Sequence, residues 1–132
     1  VRKTPILGIC LGMQLLASKS EEGVKNGLNF IPGSVKKFDE TCVRIPHVGW
    51  NYISAKRDSA LLNTLDDESR FYFTHSYYFS ALNEINVIAT TKYDYEFASI
   101  VGNNENIFGV QFHPEKSHRY GKMLFKNFIE RV

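Results

Sequence analysis

Apolar residues along this chain change their spacing several times, and each change predicts an element. Pro5-Ile6-Leu7-Gly8-Ile9 is a short apolar run and predicts a buried strand. Leu11, Leu15 and Leu16 then recur at helical spacing, predicting a helix from Leu11 to about Lys19. Gly23 and Gly27 punctuate the next stretch, and Pro32-Gly33 precedes a strand-like Ser34–Phe38. Val43-Arg44-Ile45-Pro46 reads as extended, its proline placing it at an edge or a strand end. Asp58–Leu65 predicts a short helix. Arg70–Phe79, the most aromatic stretch, predicts one strand, and Val87–Tyr93 another. Ala98–Val101 and Ile107–Phe112 flank Gly102–Asn106 and predict a hairpin. Within it Phe108, Val110 and Phe112 alternate with Gly109 and Gln111, which predicts one buried face. Ser117 is the expected cap of a final helix with the apolar stripe Leu124, Phe125, Phe128 and Ile129. Helices at both ends and strands between them predict an α/β domain whose middle strands are partly antiparallel.

The 132 residues suit a single domain, spanning 1–132. Hydrophobic residues at 43% and charged residues at 23% are the balance of an ordinary globular chain. No apolar run approaches the roughly 18 residues of a spanning helix, so no membrane partner is expected. The net charge of +2 is scattered and forms no basic stripe, which argues against nucleic acid. Two cysteines, Cys10 and Cys42, make no disulfide framework, and nothing resembles a signal peptide, so a reducing cytoplasm is the default. The histidines lack ligand spacing and no phosphate loop is present, so neither metal nor cofactor is expected. Val1 is followed almost at once by an apolar strand that needs neighbours on both edges, so the chain reads as a fragment of a larger domain.

Chemistry concentrates at two places. Gly8-Ile9-Cys10-Leu11-Gly12 lies between a predicted strand and a predicted helix, the pattern of a nucleophile elbow with cysteine at its centre. Such a bend raises the central side chain above the sheet. The following helix aims its N-terminus at the sulfur, where free N–H groups and the dipole favour a thiolate. The Leu11 N–H is a natural oxyanion donor. The plain alternative is a buried structural cysteine in a glycine-bounded turn. Cys42 has no comparable setting.

A cysteine nucleophile needs a base. Of His47, His75, His113 and His118, His113 stands out because it opens His113-Pro114-Glu115 just after a strand-like run. A residue before proline is held extended, and side chains two apart then face the same way. Glu115 can therefore orient the His113 imidazole, the third role of a triad. His118 reads as a solvated residue near a helix start.

These segments resemble a known family. Pro5–Gln14 is similar to the nucleophile segment of class I (triad-type) glutamine amidotransferases, and Gly109–Glu115 to their histidine–glutamate segment. Three more segments, Gly27–Gly33, Pro46–Asn51 and Thr74–Phe79, resemble the glutaminase subunit of imidazole glycerol phosphate synthase, from histidine biosynthesis. The resemblance implies a flavodoxin-like α/β domain with a central mixed sheet flanked by helices, its N-terminal strands absent from this chain. It implies that Cys10 attacks the side-chain amide of glutamine, that His113 protonates the leaving ammonia, and that ammonia passes to a synthase (cyclase) partner of TIM-barrel type in a heterodimer. It further implies that Gly12, Gln14, Ser76 and Tyr77 bind glutamine and that His47, Gly49, Trp50 and Asn51 face the partner. A tryptophan suits an interface anchor, although a plain core position is the alternative. The family also carries a glycine-rich oxyanion segment several tens of residues before the nucleophile, whereas nine residues precede Cys10 here. Loss of one such donor costs on the order of a hundredfold, so weak hydrolysis and an exposed apolar sheet edge are expected of the chain alone.

The residues leave three other functions to weigh. A paralogous glutaminase feeding ammonia to sugar amination for surface polysaccharide would share these motifs. A non-catalytic fragment that docks a synthase would not need the triad. A papain-like cysteine hydrolase would place its cysteine in a different local signature.

Overall fold

A computed structural model describes residues 3–23 and 26–132. In chain order the described elements are β1 (Ile6–Ile9), α1 (Leu11–Gln14), β2 (Lys19–Ser20), β3 (Gly33–Lys37), β4 (His47–Tyr52), β5 (Ser54–Ala55), β6 (Arg70–His75), β7 (Tyr77–Ala81), β8 (Val87–Tyr93), β9 (Tyr95–Gly102), β10 (Ile107–Val110) and α2 (His118–Arg131). The fold is mixed α/β. One sheet runs β1-β10-β9-β7-β3-β2, with β8 and β5 attached along the other side of β9, and β4 pairs with β6 in a separate two-stranded sheet. β1 lies parallel to β10 and β2 parallel to β3, while the remaining pairs are antiparallel.

β9 is buried from Phe97 to Gly102 because both of its faces are covered. Phe97 and Ile100 belong to the larger apolar cluster, with Phe71, Phe73, Phe112 and Leu124 of β6, the β10 end and α2. Ala98 and Val101 belong to the second, with Met13, Leu16, Ile31 and Val35 of the α1 side. α2 closes on its cluster through Gly121, where a Cβ would stand 1.8 Å from the Pro114 carbonyl oxygen. Buried Asn127 also donates to the carbonyls of Leu61 and Asn63, at 2.9 and 2.5 Å.

Several expectations change in detail. The helix after Cys10 lasts one turn and not two. The carbonyls of Leu15, Leu16 and Ala17 accept from the N–H groups of Leu28, Phe30 and Asn29, so a returning segment takes the bonds that a longer helix would use. Arg70–Phe79 is not one strand. It breaks at Ser76, whose carbonyl accepts from the Phe38 N–H at 3.1 Å, and its halves enter different sheets. Asp58–Leu65 contains only a single 3-10 turn at Ala60–Leu62, capped by Ser59. Strands β2, β4 and β5 lie where no strand was expected. The alternation in β10 does not mark one exposed face, because Gly109 packs on Met13 and Gln111 is fully buried, so both sides are covered. Ser117 precedes α2 but makes no side-chain cap. Among the described residues β1 pairs with β10 alone, and Leu11, Leu15, Leu28 and Phe30 are exposed.

Candidate active site

Cys10 stands at the carboxyl end of β1, where the chain must turn at once into α1. Its backbone sits at φ 53°, ψ −105°, a conformation that costs a non-glycine residue roughly 1–3 kcal/mol. Gly8 permits the bend, since a Cβ there would stand 2.6 Å from the Gly12 carbonyl oxygen. The Cys10 N–H donates to the Val110 carbonyl at 2.8 Å, tying the bend to β10. The Cys10 sulfur is half-buried, 3.6 Å from the donating Gln111 Nε2 and 3.9 Å from the Thr74 carbonyl oxygen.

His113 reaches the same end of the molecule from the neighbouring strand. Ile9 pairs with Val110 in the parallel ladder, so Cys10 follows the end of β1 and His113 lies three residues beyond the end of β10. The His113 N–H donates to the Tyr72 carbonyl at 2.9 Å. Its Nδ1 lies 2.8 Å from Glu115 Oε2, and since a carboxylate only accepts, Nδ1 carries the proton and Nε2 holds the free lone pair. The loop is braced by Ser117, whose hydroxyl donates to the His113 carbonyl at 2.6 Å and accepts the Tyr72 N–H at 3.0 Å. The expected helix cap is thus spent on holding the histidine loop.

Burial is the largest influence on the Cys10 thiol and pushes its pKa above the ordinary value. The Leu11 N–H and the Gln111 amide pull it down, and the Glu115 and Glu22 carboxylates push it up. The pull of the helix N-terminus toward a thiolate is therefore outweighed by burial. A helix of four residues, Leu11–Gln14, sums too few peptide dipoles to offset desolvation. A thiol of this kind needs a base to take its proton; His113, the expected base, makes no hydrogen bond to the sulfur in this structure.

An open groove of about 280 Å³ is lined by Cys10, Leu11, Gln14, Glu22, Thr74, His75, Ser76 and Tyr77. Ser76 and Tyr77 line it at the break between β6 and β7. Gln14 also lines the groove. It is 8% exposed, and its Nε2 donates to the Tyr77 carbonyl at 3.3 Å and to Gln111 Oε1 at 3.1 Å, so its amide nitrogen is spent inside the protein. Gly12 is half-buried, and a Cβ there would meet nothing within 4 Å. Sequence reasoning passed over Gln111, Glu22, Thr74 and Ser117. Gln111 carried a signal: a polar residue two positions before the histidine, directly after a strand made of apolar residues and glycine. The Thr74 contact is made by a carbonyl, which no side-chain pattern reports.

The segment expected to face a partner is β4. Val48, Trp50 and Tyr52 alternate on its exposed side, and Trp50 stacks on His118 with ring centroids 5.6 Å apart. Gly49 and Asn51 are half-buried. His47 differs from expectation: it is 3% exposed and packed between Phe73 and Tyr93, because alternation along β4 turns it inward. A depression beside Trp50 is lined by Arg70, Ser117, His118, Arg119 and Tyr120. Among the described residues no group of three or more His, Cys, Asp or Glu is placed to hold a metal ion, and no helix is long and apolar enough to cross a membrane.

A family model described as Glutamine amidotransferase class-I matches residues 1–131. The chain is 50% identical over 131 residues to imidazole glycerol phosphate synthase subunit HisH 2 of Methanococcus maripaludis, covering 98% of this chain and 64% of that protein. It is 49% identical to subunit HisH of Leptospira interrogans, covering 96% and 64% respectively. The chain therefore spans just under two thirds of the length of these relatives. Among solved structures, a glutamine amidotransferase of Thermotoga maritima superposes with a TM-score of 0.64 at 22% identity, covering 96% of this chain and 47% of that one, a likeness of fold.

Proposed function

The chain belongs to the class I glutamine amidotransferase family, and from that premise we propose that it hydrolyses glutamine and delivers the ammonia to a cyclase subunit, of TIM-barrel type, in imidazole glycerol phosphate synthesis. His113 Nε2 takes the proton from Cys10 Sγ, and the thiolate attacks the side-chain carbonyl carbon of glutamine. The tetrahedral oxyanion takes the Leu11 N–H. Imidazolium returns its proton to the departing nitrogen, the C–N bond breaks, and ammonia leaves a thioester on Cys10. His113 then draws a proton from water, which attacks the thioester and releases glutamate and the thiol. Glu115 holds Nδ1 and steadies the positive charge while it lasts. The Gln111 amide, 3.6 Å from the sulfur, supports the thiolate. In the groove the Glu22 carboxylate suits the α-ammonium of glutamine, and the Ser76–Tyr77 backbone its amino-acid end.

The observation that carries this reading is the parallel pairing of β1 with β10, which brings Cys10 and the His113–Glu115 pair to one edge although they are about a hundred residues apart. The exposed Val48, Trp50 and Tyr52 of β4, with Gly49 and Asn51 between them, form the face offered to the cyclase. The test uses the protein that carries this chain, assembled with its cyclase. Cys10→Ala is expected to abolish glutamine-dependent product formation and to leave formation from added ammonia intact. Loss of both would make Cys10 a structural residue. Product from a sugar acceptor, with none from the imidazole precursor, would move the protein to the sugar-amination pathway.

A further inference from the structure

Two buried histidines outside the Cys10–His113–Glu115 set have donor and acceptor roles that their partners fix. His75 Nδ1 lies 2.7 Å from the Tyr77 carbonyl oxygen. A carbonyl only accepts, so Nδ1 carries the proton and Nε2 is left as the acceptor. His47 Nδ1, 3.0 Å from that Nε2, must then donate, which leaves His47 Nε2 to accept from the Asn51 amide at 3.2 Å. Three bonds thus run one way, from Asn51 through both rings to Tyr77. A second proton on either ring would set donor against donor. Burial holds both pKa values at about 4, so the rings stay neutral near pH 7.

The end of this chain lies in the groove. The Tyr77 carbonyl accepts a second bond, from Gln14, whose amide also donates to Gln111, and Gln111 donates to the Cys10 sulfur. The carbonyl sits just after the break where β6 leaves for one sheet and β7 for the other. Strand pairing alone is least able to fix a peptide at such a divergence. We propose that His75 and His47 are positioning residues for the glutaminase reaction, anchoring the Tyr77 carbonyl by a neutral, one-way hydrogen-bond chain and through it the Gln14–Gln111 pair that donates to the Cys10 sulfur. The kinetic part of this proposal rests on the glutaminase reading. The geometric part does not.

The alternative is that the two rings only fill the core, and side chains of matched shape separate the cases. In His75→Asn the amide nitrogen stands where Nδ1 stood and still donates to Tyr77. In His75→Gln it stands where Nε2 stood and does not. His75→Phe keeps the ring volume and no donor. In the assembled protein, kcat/KM for glutamine is expected to fall about tenfold or more in His75→Phe and His75→Gln, and to return to within about threefold of the parent in His75→Asn. Alkylation of Cys10 by iodoacetamide, referred to Cys42 in the same molecules, is expected to move to higher pH in His75→Phe and not in His75→Asn. Nitrogen NMR of the unmutated protein is expected to find both rings neutral and protonated on Nδ1. A proton on Nε2 of His75, unchanged kcat/KM in His75→Phe, or no advantage of Asn over Gln would each overturn the proposal. If the unmutated protein hydrolyses no glutamine, the functional reading fails, while ring tautomer and Cys10 alkylation still decide the positioning role. If His75→Phe does not fold, the Asn–Gln pair decides it.

Discussion

The imidazole of His113 is 19% exposed and bonds a Glu115 side chain that is 49% exposed, whereas His47 and His75 are 3% and 6% exposed and bond each other. The first setting offers a resting place for positive charge. A carboxylate waits at Nδ1, and water reaches the pair. The second offers none, because the neighbours of the two rings are Phe38, Phe73, Tyr93 and Phe97, together with amide and carbonyl groups. One side-chain type thus serves two opposite ends. In the proposed reaction a proton comes and goes at His113 within each turnover. At His47 and His75 it must stay where it is, because direction along the chain depends on it.

The widest separation between the regions is expected from His113→Ala, which removes the base. Glutamine turnover should fall by about a thousandfold or more, with ammonia-dependent synthesis unchanged. Glu115→Gln should cost less, on the order of a hundredfold, since it disturbs orientation and charge but leaves the ring in place. Losses equal to those of His113→Ala would erase that division of labour. Gln111→Leu, which removes the amide from the sulfur, should lower kcat about tenfold and raise the pH midpoint of Cys10 alkylation. An unmoved midpoint would detach Gln111 from the thiol. The last effect concerns stability and not turnover. Unfolded histidines take up protons below about pH 6.5, while the folded His47 and His75 resist until about pH 4. Between those values the unfolded state binds more protons, so stability should decline as the pH falls through that window. A melting curve that shifts with pH in the parent and stays flat in a His47→Phe, His75→Phe double variant would locate the effect in this pair.

Much of the candidate site's layout was legible because it is local. The Gly8–Gly12 bracket announces a tight bend, and His113-Pro114-Glu115 announces the paired side chains, although the expected extended backbone ends at His113 and a 3-10 turn over Pro114–Lys116 brings Glu115 round. The hairpin ending in β10 was legible for a similar reason, since short loops leave few partners to choose from. The break at Ser76 was not, because aromatic residues run on both sides of Ser76 and the division is imposed by Phe38, which lies far earlier in the chain. The length of α1 was lost in the same way, to carbonyl bonds from a segment more than ten residues later. His47 was placed on the surface by its motif and in the core by the pleat of β4. That outcome depends on which face of β4 meets Phe73 and Tyr93. Burial of the Cys10 sulfur, which outweighs the helix terminus, is a tertiary property with no trace in sequence.

The pairing of β1 with β10 extends over four residue pairs, Ile6 with Ile107 through Ile9 with Val110. Each step along such a ladder is about 3.3 Å, and a slip of one step turns every side chain to the opposite face. The ladder therefore works as a vernier between sulfur and imidazole: its setting is coarse, but it leaves no intermediate positions. Changes at Leu7 or Phe108, far from any reacting atom, would tell on chemistry by loosening this graduation before they told on the fold.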